Sequence, residues 1–224
     1  MKLSIIIPTL NEATVIGSSL AALTSLRERG HEVIVVDGGS RDDTVQLAQS
    51  LAYQIFTANK GRASQMNKGA EIANGDVLVF LHADSLLPPN AESLIIEGLN
   101  QRNKTWGRFD VRLAGRQPFL RIIETLMNWR SRISGIATGD QCLFVHRELF
   151  DHMGGFPEIA LMEDIAISKR LKRYGRPLCI RQRVITSSRR WEQQGTLRTV
   201  LLMWRLRLGY FLGESPEHLA RRYH

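Results

Sequence analysis

Three short polar clusters punctuate the first half of the chain: Pro8-Thr9-Leu10-Asn11-Glu12, Asp37-Gly38-Gly39-Ser40-Arg41-Asp42-Asp43 and His82-Ala83-Asp84-Ser85. Each follows an apolar run rich in branched residues, namely Leu3 to Ile7, Glu32 to Val36 and Val77 to Leu81. Their carboxylates and amides can accept hydrogen bonds from N–H and hydroxyl groups, and carboxylate oxygens are hard ligands for divalent cations. Any one cluster could be turn chemistry, since Asp-Gly and Asn suit loops. Three in succession, each at the end of an apolar run, favour a ligand site.

Such a site requires the three runs to be strands of one sheet with their carboxyl ends on a common edge. The intervening segments have helical length and spacing: Ala13 to Arg29, Arg41 to Leu51 and Ala63 to Ala73. Strand, helix, strand, helix is the pattern of a mostly parallel α/β sheet with right-handed crossovers, and ligands bind such sheets in the crevice beyond the strand ends. Ser40 can cap the helix at Arg41, with Asp42 and Asp43 in its first turn, and Asn11 can cap the first helix. Pro88-Pro89 marks a turn before a helix from Ala91 to Leu99. A strand from Arg108 to Leu113 and an amphipathic segment from Phe119 to Ile133 follow. Phe119, Ile122, Leu126, Trp129 and Ile133 share one face of that segment, which is expected to pack inward.

The 224 residues allow one domain and an appendage, and 43% hydrophobic with 23% charged residues exclude disorder. Cys142 and Cys179 are far apart and form no zinc-like or disulfide pattern. The apolar run Leu3 to Ile7 stops at Pro8 and lacks the length and cleavage site of a signal peptide, so a cytosolic chain is expected. No apolar stretch approaches the ~20 residues needed to cross a bilayer. The net charge is +8, and +7 of it lies between Arg176 and His224, where ten Arg face three Glu and no Lys. Leu197, Val200, Leu201, Trp204, Leu208, Phe211 and Leu212 form a helical stripe there, yet Leu202, Met203 and Leu206 are apolar on the other side. One face cannot bury them all. With Arg198, Arg205 and Arg207 alongside, the helix is expected to rest on an anionic membrane surface, with a dimer contact or full packing as the alternative.

The motifs together resemble the inverting family-two glycosyltransferases with the GT-A fold. The resemblance rests on Pro-Thr-Leu-Asn-Glu at 8–12, Val-Val-Asp-Gly-Gly-Ser-Arg-Asp-Asp-Thr at 35–44, Gly-Arg-Ala-Ser-Gln-Met-Asn at 61–67 and His-Ala-Asp-Ser at 82–85. It continues with Gly154-Gly155-Phe156, Glu163-Asp164 and Arg189-Arg190-Trp191. The wording is similar to the subgroup associated with radical-SAM and selenodomain proteins. The implied layout is a GT-A domain over residues 1–190 and a basic amphipathic appendage over 191–224.

The resemblance implies a nucleoside-diphosphate sugar as donor. Pro8, Thr9, Glu12 and Asp37 would hold the nucleoside. Arg62, with Gln65 and Asn67, would add contacts to the base or diphosphate. Arg189 and Arg190 would clamp the diphosphate, although their spacing is shorter than in the processive members, so processivity is not carried over. Asp84 corresponds to the last Asp of the family's Asp-x-Asp motif and would meet Mn²⁺ or Mg²⁺. His82 stands at the first Asp position, so Asp84 is the one protein ligand expected. Asp164 is the expected general base toward the acceptor hydroxyl, with Glu163 in support and Asp140 on the acceptor side. The acceptor itself is not legible, though a lipid-like one would suit the tail. Three alternatives stay open: a nucleotidyltransferase of the same fold, whose glycine-rich signature is missing; a nucleotide-sugar-binding protein without transferase activity; and a nucleic-acid binder, supported only by the tail's charge and not expected.

Overall fold

The sheet is built around β1 (Leu3–Thr9), whose side chains are apolar on both faces because both faces are covered. Ile5 and Ile7 enter one layer with Ile16, Leu20, Ile95 and Leu99, while Ile6 enters the other with Val36, Met66, Ala70 and Phe80. In the computed structural model, which describes residues 1–51, 54–189 and 195–223, β1 pairs in parallel with β2 (Glu32–Asp37) and β4 (Val77–Phe80). β2 pairs in parallel with β3 (Gln54–Thr57). The second half of the sheet is mixed. β7 (Leu143–His146) runs antiparallel to both β4 and β6 (Trp106–Leu113), β8 (Leu178–Thr186) runs parallel to β6, and β5 (Ser85–Leu86) closes antiparallel on β8. The order is β3-β2-β1-β4-β7-β6-β8-β5. This is the expected α/β architecture with its parallel half first.

Helices cover both faces: α1 (Ala13–Ala22), α2 (Thr24–Glu28), α3 (Thr44–Ser50), α4 (Arg62–Ile72), α5 (Ala91–Gln101), α6 (Pro118–Ser134), α7 (Arg147–His152) and α8 (Glu163–Leu171). α4 lies so close to the sheet that a Cβ at Gly69 would stand 2.4 Å from Ile6 Cγ2. A tail helix, Thr196–Phe211, and a terminal helix, Pro216–Tyr223, follow. They pack on the start of α8 through Met162, Ile165, Leu206 and Leu219.

α6 corrects one expectation outright. The stripe Phe119, Ile122, Leu126, Trp129 and Ile133 is exposed, each side chain between 55% and 64%, while Leu120, Glu124, Asn128 and Ser131 are buried. The reason lies in β6. β7 is short and pairs only with Trp106 to Arg108, so the rest of that edge of β6 lacks a strand partner. α6 supplies one from its side chains. Asn128 accepts from Val111 N (2.8 Å) and donates to Val111 O (2.9 Å), Glu124 accepts from Leu113 N (3.1 Å), and Arg121 donates to Leu113 O. Buried backbone groups must be paired, so the polar face turns inward and the apolar face is left outside. Asn128→Ala is therefore expected to destabilise the fold by about 1–3 kcal/mol, because it strands both Val111 groups. A urea midpoint unchanged from wild type would refute this account of α6.

Smaller differences concern helix starts. The first helix breaks at Leu23 into α1 and α2, and the helix expected from Arg41 begins at Thr44. Ser40 does not cap it: its hydroxyl donates to Asp37. Asn11 does not cap α1 either, but accepts from Arg41 N at 2.8 Å and so ties two loops together.

Candidate active site

The carboxyl ends of β1 and β4 meet the starts of α4 and α8 around a small pocket. Pro8 comes from β1, Arg62 and Met66 from α4, and Phe80, Leu81 and His82 from the end of β4. Thr138 and Gly139 come from the turn ahead of β7, and Glu163 and Asp164 from the first turn of α8. The structure thus brings together Pro8, Arg62, Glu163 and Asp164 among the sequence candidates. Thr9, Glu12, Asp37, Asn67 and Asp84 do not line this pocket.

Local backbone geometry presents the two acids. Gly154 and Gly155 both have φ +72°, a conformation rarely adopted by L side chains, and a Cβ at Gly155 would lie 2.7 Å from Asn67 Oδ1. Asn67 fastens this turn to α4: it accepts from Phe156 N (2.8 Å) and donates to Phe156 O (2.9 Å). Its amide thus has a structural task, beside the donor contact expected of it. Met162, just before α8, also has positive φ, +71°, and is buried against the tail helices. Such a conformation is uncommon outside glycine and persists only when packing fixes it. The tail thereby sets where Glu163 and Asp164 point.

Asp164 accepts from Gly139 N (3.1 Å) and from Ile165 N (2.7 Å). Burial raises the proton affinity of the Glu163 carboxyl, and the Asp164 charge raises it further, against the opposing pull of Arg62 and His82. Asp140 goes the other way. Burial opposes its ionisation, but His82, Arg62 and Arg207 outweigh that and lower its pKa. Arg62 keeps its charge against desolvation because Glu163, Tyr223, Asp140 and Asp164 surround it. Burial, together with Arg207 and Arg108, pushes Arg130 down to about 10 although Asp164 and Asp140 oppose it. Arg130 and Tyr223 escaped the sequence reading, and Arg207 was read as a flank of the tail helix rather than as part of the site. Arg130 comes from α6, while the approach of Arg207 and Tyr223 depends on how the tail folds back onto α8, for which no local signal exists.

The loops expected to hold a nucleoside are knitted to each other. Asp37, 2% exposed, accepts from Gly39 N and Ser40 N, both 2.8 Å, and from the hydroxyls of Ser40 and Thr9. Its lone pairs are filled by the chain itself, so it shapes the Gly38–Ser40 turn. Gln65 adds a buried clamp, donating to Thr9 O (2.7 Å) and Val36 O (2.8 Å). At the rim, Arg189 pairs with Glu12 (3.0 Å) and donates to Thr14. Arg190 lies outside the described residues.

His82 is engaged: its Nδ1 lies 3.5 Å from Asp140 Oδ1, and a Cβ at Gly139 would stand 2.3 Å from its Nε2. Asp84 Oδ1 accepts weakly from Ser85 and Thr186, both 3.4 Å, while Oδ2 accepts no hydrogen bond among the described residues. No three His, Cys, Asp or Glu side chains among the described residues converge as a metal-holding group. One free carboxylate oxygen fits a hard cation that takes its other ligands from substrate phosphates and water, the usual habit of Mg²⁺.

This sheet, with acids at the ends of its strands and at the start of α8, defines a class of protein. Residues 4–161 match the model of Glycosyl transferase family 2, and the chain belongs to that family. Among proteins of known sequence, it is 29% identical over 239 residues to the probable glycosyltransferase YdaM of Bacillus subtilis, covering 96% of this chain and 55% of that one. Its fold matches the crystal structure of S. aureus TarS residues 1–349 with TM-score 0.69 at 18% identity, over 84% of this chain and 61% of that one. It matches the mannosyltransferase PcManGT from Pyrobaculum calidifontis, solved with GDP-Man and Mn²⁺, with TM-score 0.67 at 21% identity, over 93% and 61%. The architecture is therefore that of the GT-A glycosyltransferases. The chain spans about half or less of the relatives it matches in sequence.

Proposed function

We propose that the chain transfers a sugar from a nucleoside diphosphate to an acceptor hydroxyl by a single inverting displacement. The observation that carries this reading is the pocket itself, which gathers Glu163, Asp164 and Arg62 at the strand ends. Pro8, Thr9 and the Asp37-shaped turn hold the nucleoside. Arg62 faces the diphosphate, and Arg189 joins it by exchanging Glu12 for phosphate oxygens, which suit the guanidinium fork. Arg190 extends that clamp. Asp164 takes the acceptor proton, and Glu163, whose burial favours its neutral form, stands beside it. A bound Mn²⁺ or Mg²⁺, held by Asp84 and the diphosphate, supplies positive charge where the leaving group develops its own. PcManGT, solved with GDP-Man and Mn²⁺, supports this donor and ion class.

On the wording of the motifs, the chain is placed in the radical-SAM and selenodomain-associated subgroup, with residues 1–190 as catalytic domain and 191–224 as appendage. No helix among the described residues is long and apolar enough to cross a membrane. The acceptor is read as lipid-like, met by a chain that contacts the membrane from one side through its tail.

A thermal-shift screen of nucleotide sugars with and without Mn²⁺ tests the donor class. A matching donor at 100 times its Kd should stabilise the protein by about 2.7 kcal/mol. Asp37→Ala should weaken that donor by about 10- to 100-fold, since charge-assisted hydrogen bonds that shape the turn are lost. No shift with any nucleotide sugar, or unaltered donor affinity in Asp37→Ala, would refute the donor assignment. Release of pyrophosphate instead of a nucleoside diphosphate would make the chain a nucleotidyltransferase.

A further inference from the structure

Two helices leave an apolar stripe uncovered. On α6 it is Phe119, Ile122, Leu126, Trp129 and Ile133. On the tail helix it is Leu201, Trp204, Leu208, Phe211 and Leu212, each between 60% and 78% exposed. Both stripes repeat at three- and four-residue spacing, so each forms one continuous face. Neither is a packing remnant. The inner side of α6 is committed to the edge of β6, and the inner side of the tail helix is committed to α8 through Leu206. The two helices converge, since Ile136, just past the end of α6, packs into the cluster that Leu206 shares with Met162 and Leu219. Two uncovered apolar faces on a small protein exceed what a surface carries by chance.

Charge selects the occupant. The tail helix has Arg198, Arg205 and Arg207 and no acid, and the one acid of α6, Glu124, is 2% exposed and turned to β6. A second copy of the chain would bring the same guanidinium groups against themselves. An anionic bilayer supplies both an apolar layer and the complementary charge, and aromatic side chains suit its headgroup level.

We propose that the exposed faces of α6 and the tail helix together form a docking surface for anionic membrane. It deepens the tail-only contact stated above by adding α6, and it holds whether or not the chain transfers sugar. Because Leu206 and Leu219 pack on Met162 and Ile165, which flank Glu163 and Asp164 in sequence, this surface places the acceptor side of the pocket beside the lipid.

The test is co-sedimentation of the full chain with phosphatidylcholine vesicles and with phosphatidylcholine–phosphatidylglycerol vesicles. Trp129→Glu with Ile122→Glu alters α6, and Trp204→Glu with Leu208→Glu alters the tail. All four side chains are exposed, so melting should be unchanged. Wild type should prefer the anionic vesicles, and each pair should weaken that binding by about tenfold or more, because two apolar anchors become repelled charges. Equal or absent binding to the two vesicle types, or wild-type binding by the α6 pair, would overturn the proposal. So would a wild-type dimer on size exclusion that the α6 pair dissociates. Donor-induced thermal shift, read on the same variants, reports separately on the transferase reading.

Discussion

Asp164→Asn is expected to slow sugar transfer by about 10²- to 10⁴-fold, the usual contribution of a positioned base, while donor affinity stays nearly unchanged. An inverting displacement needs an unprotonated acceptor of the hydroxyl proton on the face opposite the leaving group. Asp164 lines the pocket, and each of its oxygens takes one backbone N–H, from Gly139 and from Ile165, which leaves lone pairs free on both. Asparagine keeps the size but has a single acceptor oxygen, so one of those two N–H groups loses its partner. The melting temperature is therefore measured beside the rate, to separate local loosening from lost basicity. Glu163→Gln is the discriminating companion. Burial and the Asp164 charge favour the neutral form of Glu163, so its amide should cost far less in rate. If Asp164→Asn transfers sugar at the wild-type rate to a surrogate alcohol while Glu163→Gln does not, the base is Glu163. If both are active, Asp140 is next.

Three strands of the parallel half were legible because buried parallel strands write themselves as continuous branched runs: Leu3 to Ile7 and Glu32 to Val36 fall within strands, and Val77 to Leu81 overruns β4 by one residue. In the mixed half only β6 was legible, through the expected strand from Arg108 to Leu113, and in the parallel half β3 was not. β5 has two residues, β7 has four, and β8 breaks its apolar residues with the polar run Arg181-Gln182-Arg183, so their identity depends on pairing with distant strands. α6 shows a different limit. An apolar stripe is read as inward-facing on the assumption that the sheet's backbone is already paired, and β6 needed Asn128 and Glu124 instead. At the site, the polar character of the strand-end loops was visible while its use was not. Ser40 and Asn67 are the residue types that suit either a cap or a ligand contact, and tertiary structure spends one on Asp37 and the other on Phe156. The positive φ of Met162, which aims the two acids, leaves no trace in its residue type.

Removing divalent cations with excess chelator, or removing their carboxylate by Asp84→Ala, is expected to lower transfer by about 10²- to 10³-fold, the range for losing one element of transition-state charge stabilisation. The donor set makes a sharper expectation possible. His82, at the position where the related motif carries its first Asp, is tied to Asp140 and wedged against Gly139, and Asp84 offers one free oxygen. A single carboxylate binds such ions weakly, so Mn²⁺ titrated alone should show little heat. In the presence of a nucleoside diphosphate it should bind far more tightly, because phosphate oxygens complete the shell. By reciprocity the ion should tighten the nucleotide by the same factor, and Asp84→Ala should reduce that coupling. Full transfer in excess chelator, with no coupling in the calorimeter, would assign the leaving diphosphate's charge to Arg62 and Arg189 instead. Arg62 already stands among Glu163, Asp140 and Asp164 at the pocket wall, so charge neutralisation would then depend on guanidinium groups alone, and Arg62→Ala would inherit the loss expected of Asp84→Ala.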